Sequence, residues 1–214
     1  PAHVIEGKKY THEIPLSSYC GTGVCLDIPK GKWELITGED LEEAAKHVPG
    51  GVNEGDIVIV HTGWNKYWGD SQKYFLESPG LGRSAGEWFV SKKVKAVGVD
   101  QQALDHPLHT AIAPHGSGPI RPDICAQYEK ETGHKVLDDF PEWEPNHNLI
   151  LGNDIMGWEN VGGDIAKIVG KRFEISGFPI RWYMGDGSIV RLVATIDEDD
   201  MNDVPDRIYP YGVV

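Results

Sequence analysis

The stretch Pro145-Asn-His147-Asn-Leu-Ile-Leu-Gly152-Asn-Asp-Ile-Met-Gly-Trp158-Glu159 places an imidazole and a carboxylate on either side of an apolar run. A neutral imidazole and a carboxylate are donors that a Zn²⁺- or Mn²⁺-type ion accepts. His147 and Glu159 stand twelve positions apart. That is too far for one helical face, so the chain must turn between them. Pro145 suits the first position of a short helix, and Leu149, Ile150 and Leu151 give that helix an apolar side. Gly152 is expected in the left-handed region where the helix stops. Residues 155–158 then read as a short buried strand ending in Glu159. An interior histidine and a surface or capping glutamate would fit the same spacing.

Other residues bear on chemistry more loosely. His3 lacks apolar neighbours that would make it a core residue, which leaves a surface loop or an active-site loop. Trp64, Tyr67 and Trp68 follow an apolar strand, and three large rings there could wall a small-molecule pocket or merely cover a sheet end. Asp105-His106 and His109 are metal ligands by type, although two histidines three apart in a Pro-containing loop are more often surface residues.

The elements that must position these residues are readable in part. Residues 21–29 form a short buried strand opened by glycines and closed by Pro29. Thr37 followed by Asp40 is an N-cap with its capping partner, ahead of Leu41, Ala44, Ala45 and Val48 on one helical face. Residues 57–60, Ile-Val-Ile-Val, are apolar at every position, so the strand is expected to be central and covered on both faces. A helix is expected over 87–93 and a buried strand over 96–99. Residues 105–145, rich in Pro, Gly and His, are too long for an idle connection and suggest a lid, binding loop or interface arm. Two strands, 173–182 and 189–196, are expected to pair across a turn at 185–188. Short buried strands alternating with helices indicate an α/β layer fold.

Composition narrows the partners. The 214 residues suffice for one domain with a substantial core. With 25% charged and 40% hydrophobic residues the chain is globular. A formal charge of −13 and a pI near 5.0 argue against nucleic acid as a partner, leaving small molecules. No apolar run approaches the roughly 20 residues of a membrane helix. Cys20, Cys25 and Cys125 are odd in number and lack C-x₂-C spacing, which suggests free thiols in a reducing, cytoplasmic setting.

Several stretches, in order, resemble the bacterial cyclase-like metal hydrolase family that includes kynurenine formamidase and isatin hydrolase. They are Gly21-Thr-Gly23-Val24 before Ile36-Thr37-x-x-Asp40-Leu41, then Gly55-Asp56-x-Val58 leading into Thr62-Gly63-Trp64. Val97-Gly98-Val99-Asp100, His147 with Glu159-Asn160, and Gly187-Ser188-x-Val190-Arg191 complete the set. The resemblance implies a single α/β domain of the swivelling β/β/α type, with a mixed sheet and flanking helices. It also implies a homo-oligomer.

The family's His-x-Gly-Thr-His-x-Asp-x-Pro-x-His motif is met here only by its last residues, Pro1-Ala2-His3. The leading His, His and Asp are then expected on an N-terminal segment that is missing from this chain or carried separately and associated with it. The usual Gly-Ser-Pro is Gly187-Ser188-Ile189.

The resemblance makes His147 and Glu159 metal ligands and His3 the acid/base histidine. The cofactor it implies is one or two Zn or Mn ions. The implied reaction is hydrolysis of an amide or lactam carbonyl, with Trp64, Tyr67 and Trp68 against an aromatic substrate. Two readings compete. One keeps the fold as an inactive binding or scaffold subunit. The other takes Pro1 as a catalytic secondary amine, as in tautomerases.

Overall fold

A computed structural model describes residues 1–205. Its centre is a six-stranded mixed sheet. The strands are β1 (Cys20–Asp27), β3 (Ile57–His61), β5 (Ala96–Val99), β6 (Met156–Trp158), β7 (Arg172–Ser176) and β8 (Val193–Thr195), in the order β6-β5-β3-β1-β7-β8. The first four run parallel, and β7 and β8 join antiparallel. A two-stranded ribbon of β2 (Leu35–Ile36) and β4 (Gly80–Leu81) stands apart.

The all-apolar 57–60 run is central, as its composition requires. Because side chains alternate across a strand, Val58 and Val60 enter one core with Val24, Leu26, Val97 and Val99. Ile57 and Ile59 enter the other with Cys25, Trp158, Phe173 and Ile175. Two helices cover the first face: α1 (Gly38–Ala45), which gives Leu41 and Ala45, and α3 (Arg83–Lys92), which gives Ala85, Trp88 and Phe89. The start of α1 is the capping box read from sequence. Thr37 Oγ accepts from the Asp40 amide at 3.2 Å, and the Asp40 carboxylate accepts from the Thr37 amide at 2.8 Å. Helix α3 begins four residues earlier than the periodicity suggests, at Arg83 directly after Gly82.

Residues 105–145 are a packed layer, not an irregular loop. Two helices, α4 (Pro122–Thr132) and α5 (Val136–Asp139), surround a third core of Leu108, Ile112, Ile124, Tyr128, Val136 and Phe140. His106 and His109 are buried there, which corrects their surface placement, and His115 is buried with them. His106 stacks on Phe140 with ring centroids 4.3 Å apart. The hairpin near the end is shorter than its pattern suggests, pairing only Glu174–Ser176 with Val193–Thr195. The helix α2 (Ser71–Leu76) follows the aromatic loop. No helix among the described residues is long and apolar enough to cross a membrane.

Candidate active site

A cavity of about 640 Å³ opens beside the carboxyl end of β6, the end of a parallel strand where α/β sheets place ligands. His3, His147 and Glu159 all line it. His147 Nε2 lies 3.3 Å from Glu159 Oε1, so the two residues singled out by type do meet.

The turn that joins them differs from expectation. His147–Leu151 is a π-helical segment, and Gly152 continues it with a right-handed φ of −64°. The left-handed residue is Asp154, at φ 58°. It follows that Asn153 and Asp154, rather than the glycine, reverse the chain into β6. Wider π-turns recur at functional sites because the extra residue redirects side chains. This segment packs on α3, where Gly86 leaves no room for a side chain: a Cβ would run into Asn146 Oδ1.

Both donors are held by one short stretch after β5. The Leu104 amide donates to Glu159 Oε1 at 2.9 Å. The next residue, Asp105, is fully buried, and its Oδ2 lies 2.7 Å from His147 Nδ1. Burial works against a charged His147. The hydrogen bonds to Asp105 and Glu159 outweigh it and hold the pKa up at about 10. The two flanking carboxylates thus favour the charged form of His147.

His3 arrives from the opposite side, its ring centroid 5.9 Å from that of His147. Residues 1–12 are tied down by Lys8 to the Gly152 carbonyl at 3.1 Å and by the Thr11 amide to the Gly185 carbonyl at 2.8 Å. His3 Nδ1 pairs with Asp186 Oδ2 at 2.9 Å, and that hydrogen bond holds the Asp186 carboxyl below its ordinary range. Glu144 sits near the same charges. Burial raises its carboxyl above the usual range, against the pull of His147.

The three rings separate. Trp68 lines the cavity, together with Phe75. Trp64 is buried, donating its indole N–H to the Tyr74 carbonyl at 3.2 Å, and Tyr67 packs edge-on against it. Neither lines the cavity, because the helical turn Trp64–Tyr67 sends successive rings in different directions. Asp100, at the end of β5, is a fastener: it accepts from the Thr62 hydroxyl at 2.6 Å and from the amides of Thr62 and Gly63. His106 and His109 face the third core, away from the cavity.

The donor types at His147 and Glu159 suit a divalent ion, and an imidazole whose second nitrogen is held by a buried carboxylate is the usual support for such a ligand. The two donors do not make a complete ligand set by themselves: among the described residues no group of three or more His, Cys, Asp or Glu is arranged to hold an ion. Asp105, Asp186 and Glu144 were the residues that local pattern underplayed. Asp105 had a signal only as a ligand type beside His106.

The family model described as "Putative cyclase" matches residues 1–106. An uncharacterized protein of Methanocaldococcus jannaschii is 25% identical over 169 residues, covering 79% of this chain and 66% of its own length. Among solved structures, an isatin hydrolase bound to the product analogue thioisatinate superposes with a TM-score of 0.65 at 20% identity, over 88% of this chain and 64% of that one. A structure titled a potential metal-dependent hydrolase with cyclase activity gives 0.59 at 18% identity, over 91% of this chain and 74% of that one. This chain therefore spans just under two thirds of the first two relatives. The family match spans residues 1–106, just under half of the chain, and the fold is shared across nearly all of it, so the chain is similar to the cyclase-like family.

Proposed function

We propose that the protein is a divalent-metal-dependent hydrolase of a small amide or lactam carbonyl, formamide-like or isatin-like, acting on a C–N bond other than a peptide bond. The observation that carries this reading is the convergence of His147 Nε2 and Glu159 Oε1, 3.3 Å apart, on a cavity that His3 also lines. The isatin hydrolase and the metal-dependent hydrolase among its structural neighbours support the same chemistry.

His147 and Glu159 would hold one or two ions, zinc or manganese, with further donors from an associated N-terminal segment. When bound, such an ion supplies polarisation of the carbonyl and a water acidified to a pKa of about 7. The protein's own groups do the rest. His3, with Nδ1 held by Asp186, presents Nε2 as the base that takes the attacking water's proton and returns it to the leaving nitrogen as the C–N bond breaks. Trp68 and Phe75 offer apolar surface to the substrate. We place the activity in the cytoplasm, on the strength of three unpaired thiols, and in a homo-oligomer.

Metal content and hydrolysis of an N-formyl arylamine and of isatin test this reading. His147→Ala and Glu159→Ala should lose metal and turnover together. Full metal occupancy in either variant would end the ligand assignment. Wild-type protein that binds neither Zn²⁺ nor Mn²⁺ would favour an inactive binding or scaffold subunit of the same fold.

A further inference from the structure

The buried Asp105 carboxylate is more than a ligand type beside a histidine. All four of its hydrogen bonds come from two consecutive residues of a segment some forty positions away. Oδ1 accepts from the Asn146 amide at 2.8 Å and from Asn146 Nδ2 at 2.9 Å. Oδ2 accepts from the His147 amide at 2.9 Å and lies 2.7 Å from His147 Nδ1. A carboxylate in this state only accepts, so Nδ1 must carry the proton and donate it. With Nδ1 occupied in this way, the nitrogen left to face the cavity is Nε2.

Two of the four bonds would suffice to cap the backbone where the π-helical segment begins. The Asn146 side chain is independently secured, because its Nδ2 also donates to the Leu81 carbonyl at 2.8 Å. The bond to the imidazole is the shortest of the set and contributes nothing to capping. Asp105 is itself immobilised: it bridges Leu81 of β4, the Leu81 amide donates to the Leu104 carbonyl, and Gly80 packs directly on the backbone of His106.

We propose that Asp105 is the positioning residue of the site, fixing both the orientation of the His147 ring and the nitrogen it presents to the cavity. It rests on the proposed function only for what Nε2 is aimed at, and the ring orientation stands without it.

Asp105→Asn keeps the volume and two acceptor lone pairs but replaces one oxygen by a donor. An amide NH₂ facing His147 would set donor against donor, opposing both the backbone N–H and the Nδ1–H of His147. Crystal structures of wild type and Asp105→Asn, both metal-free, read the ring directly. The ring should leave its wild-type orientation or flip in the variant, and an unchanged ring with Nε2 still against Glu159 would overturn the proposal.

Titration with Zn²⁺ gives a second readout, with a loss of about 10–100-fold in affinity expected for Asp105→Asn. An unchanged affinity would also overturn the proposal. If Asp105→Asn does not fold, ¹⁵N NMR of histidine-labelled wild type takes its place: a hydrogen-bonded, slowly exchanging Nδ1–H on His147 is expected, and a freely exchanging one contradicts it. Absence of Zn²⁺ binding in wild type would sink the metal reading alone, because the ring geometry is measured without metal.

Discussion

Lowering the pH should destabilise this protein through His106. Burial, reinforced by the nearby His109, drives the His106 pKa down from 6.5 to about 3, with a weaker opposing contribution from the Trp33 backbone. The folded state thus keeps His106 neutral where the unfolded chain would protonate it. Stability from this group is fully present above pH 6.5 and is lost as the pH falls toward 3, at about 1.4 kcal/mol per unit. Between pH 6.5 and 4.5 that is about 3 kcal/mol, a large share of the 5–15 kcal/mol typical of a domain. His147 does not mask the effect in the comparison of wild type with a His106 variant, because its raised folded-state pKa is common to both proteins and cancels in their difference.

The variant His106→Asn isolates the contribution. His106 Nδ1 accepts from the Leu108 amide at 3.1 Å as an N-cap, and an asparagine oxygen can accept the same bond without titrating. Loss of the Phe140 stack makes the variant less stable at pH 7 by a fixed amount. Urea unfolding at pH 7, 6, 5 and 4.5 should show that deficit shrinking by about 1.4 kcal/mol per unit below pH 6.5. A deficit that stays constant across the series would refute the buried neutral histidine.

Three further outcomes follow from the geometry. His3→Ala should leave Zn²⁺ affinity within a few-fold of wild type while lowering hydrolysis by about 10²–10⁴; an unchanged rate would remove His3 as the proton carrier. Thr37→Ala deletes the cap of α1 and should cost about 1 kcal/mol, read as a shifted urea midpoint, and no shift would contradict the capping box. In Gly80→Ala the added Cβ runs into the Cα and amide nitrogen of His106. It should cost about 1–3 kcal/mol and weaken Zn²⁺ binding by displacing Asp105; a fully stable variant would show that the contact yields easily.

What the sequence made legible was local. The Thr37–Asp40 box, the apolar 57–60 strand and the 96–99 strand are each written in a few adjacent residues, and each is where the pattern put it. The meeting of His147 with Glu159 was legible because a turn between a helical segment and a strand admits few arrangements. Which residue takes the left-handed conformation was not: Gly152 was the obvious choice, yet Asp154 holds it, since the π-helical segment continues through the glycine. Helix α4 escaped notice because only Ile124 and Tyr128 of its residues are buried, too few to give a strong 3.6-residue period. Asp105 and Asp186 act across 42 and 183 positions, distances over which no short motif carries a signal.

The most direct measurement is anomalous diffraction from crystals of the protein soaked in Zn²⁺ or Mn²⁺. A peak is expected about 2.0–2.2 Å from both His147 Nε2 and a Glu159 oxygen, with the direct contact between those two side chains replaced by the ion. A metal peak elsewhere, with His147 still resting on Glu159, would contradict the metal centre proposed for this chain.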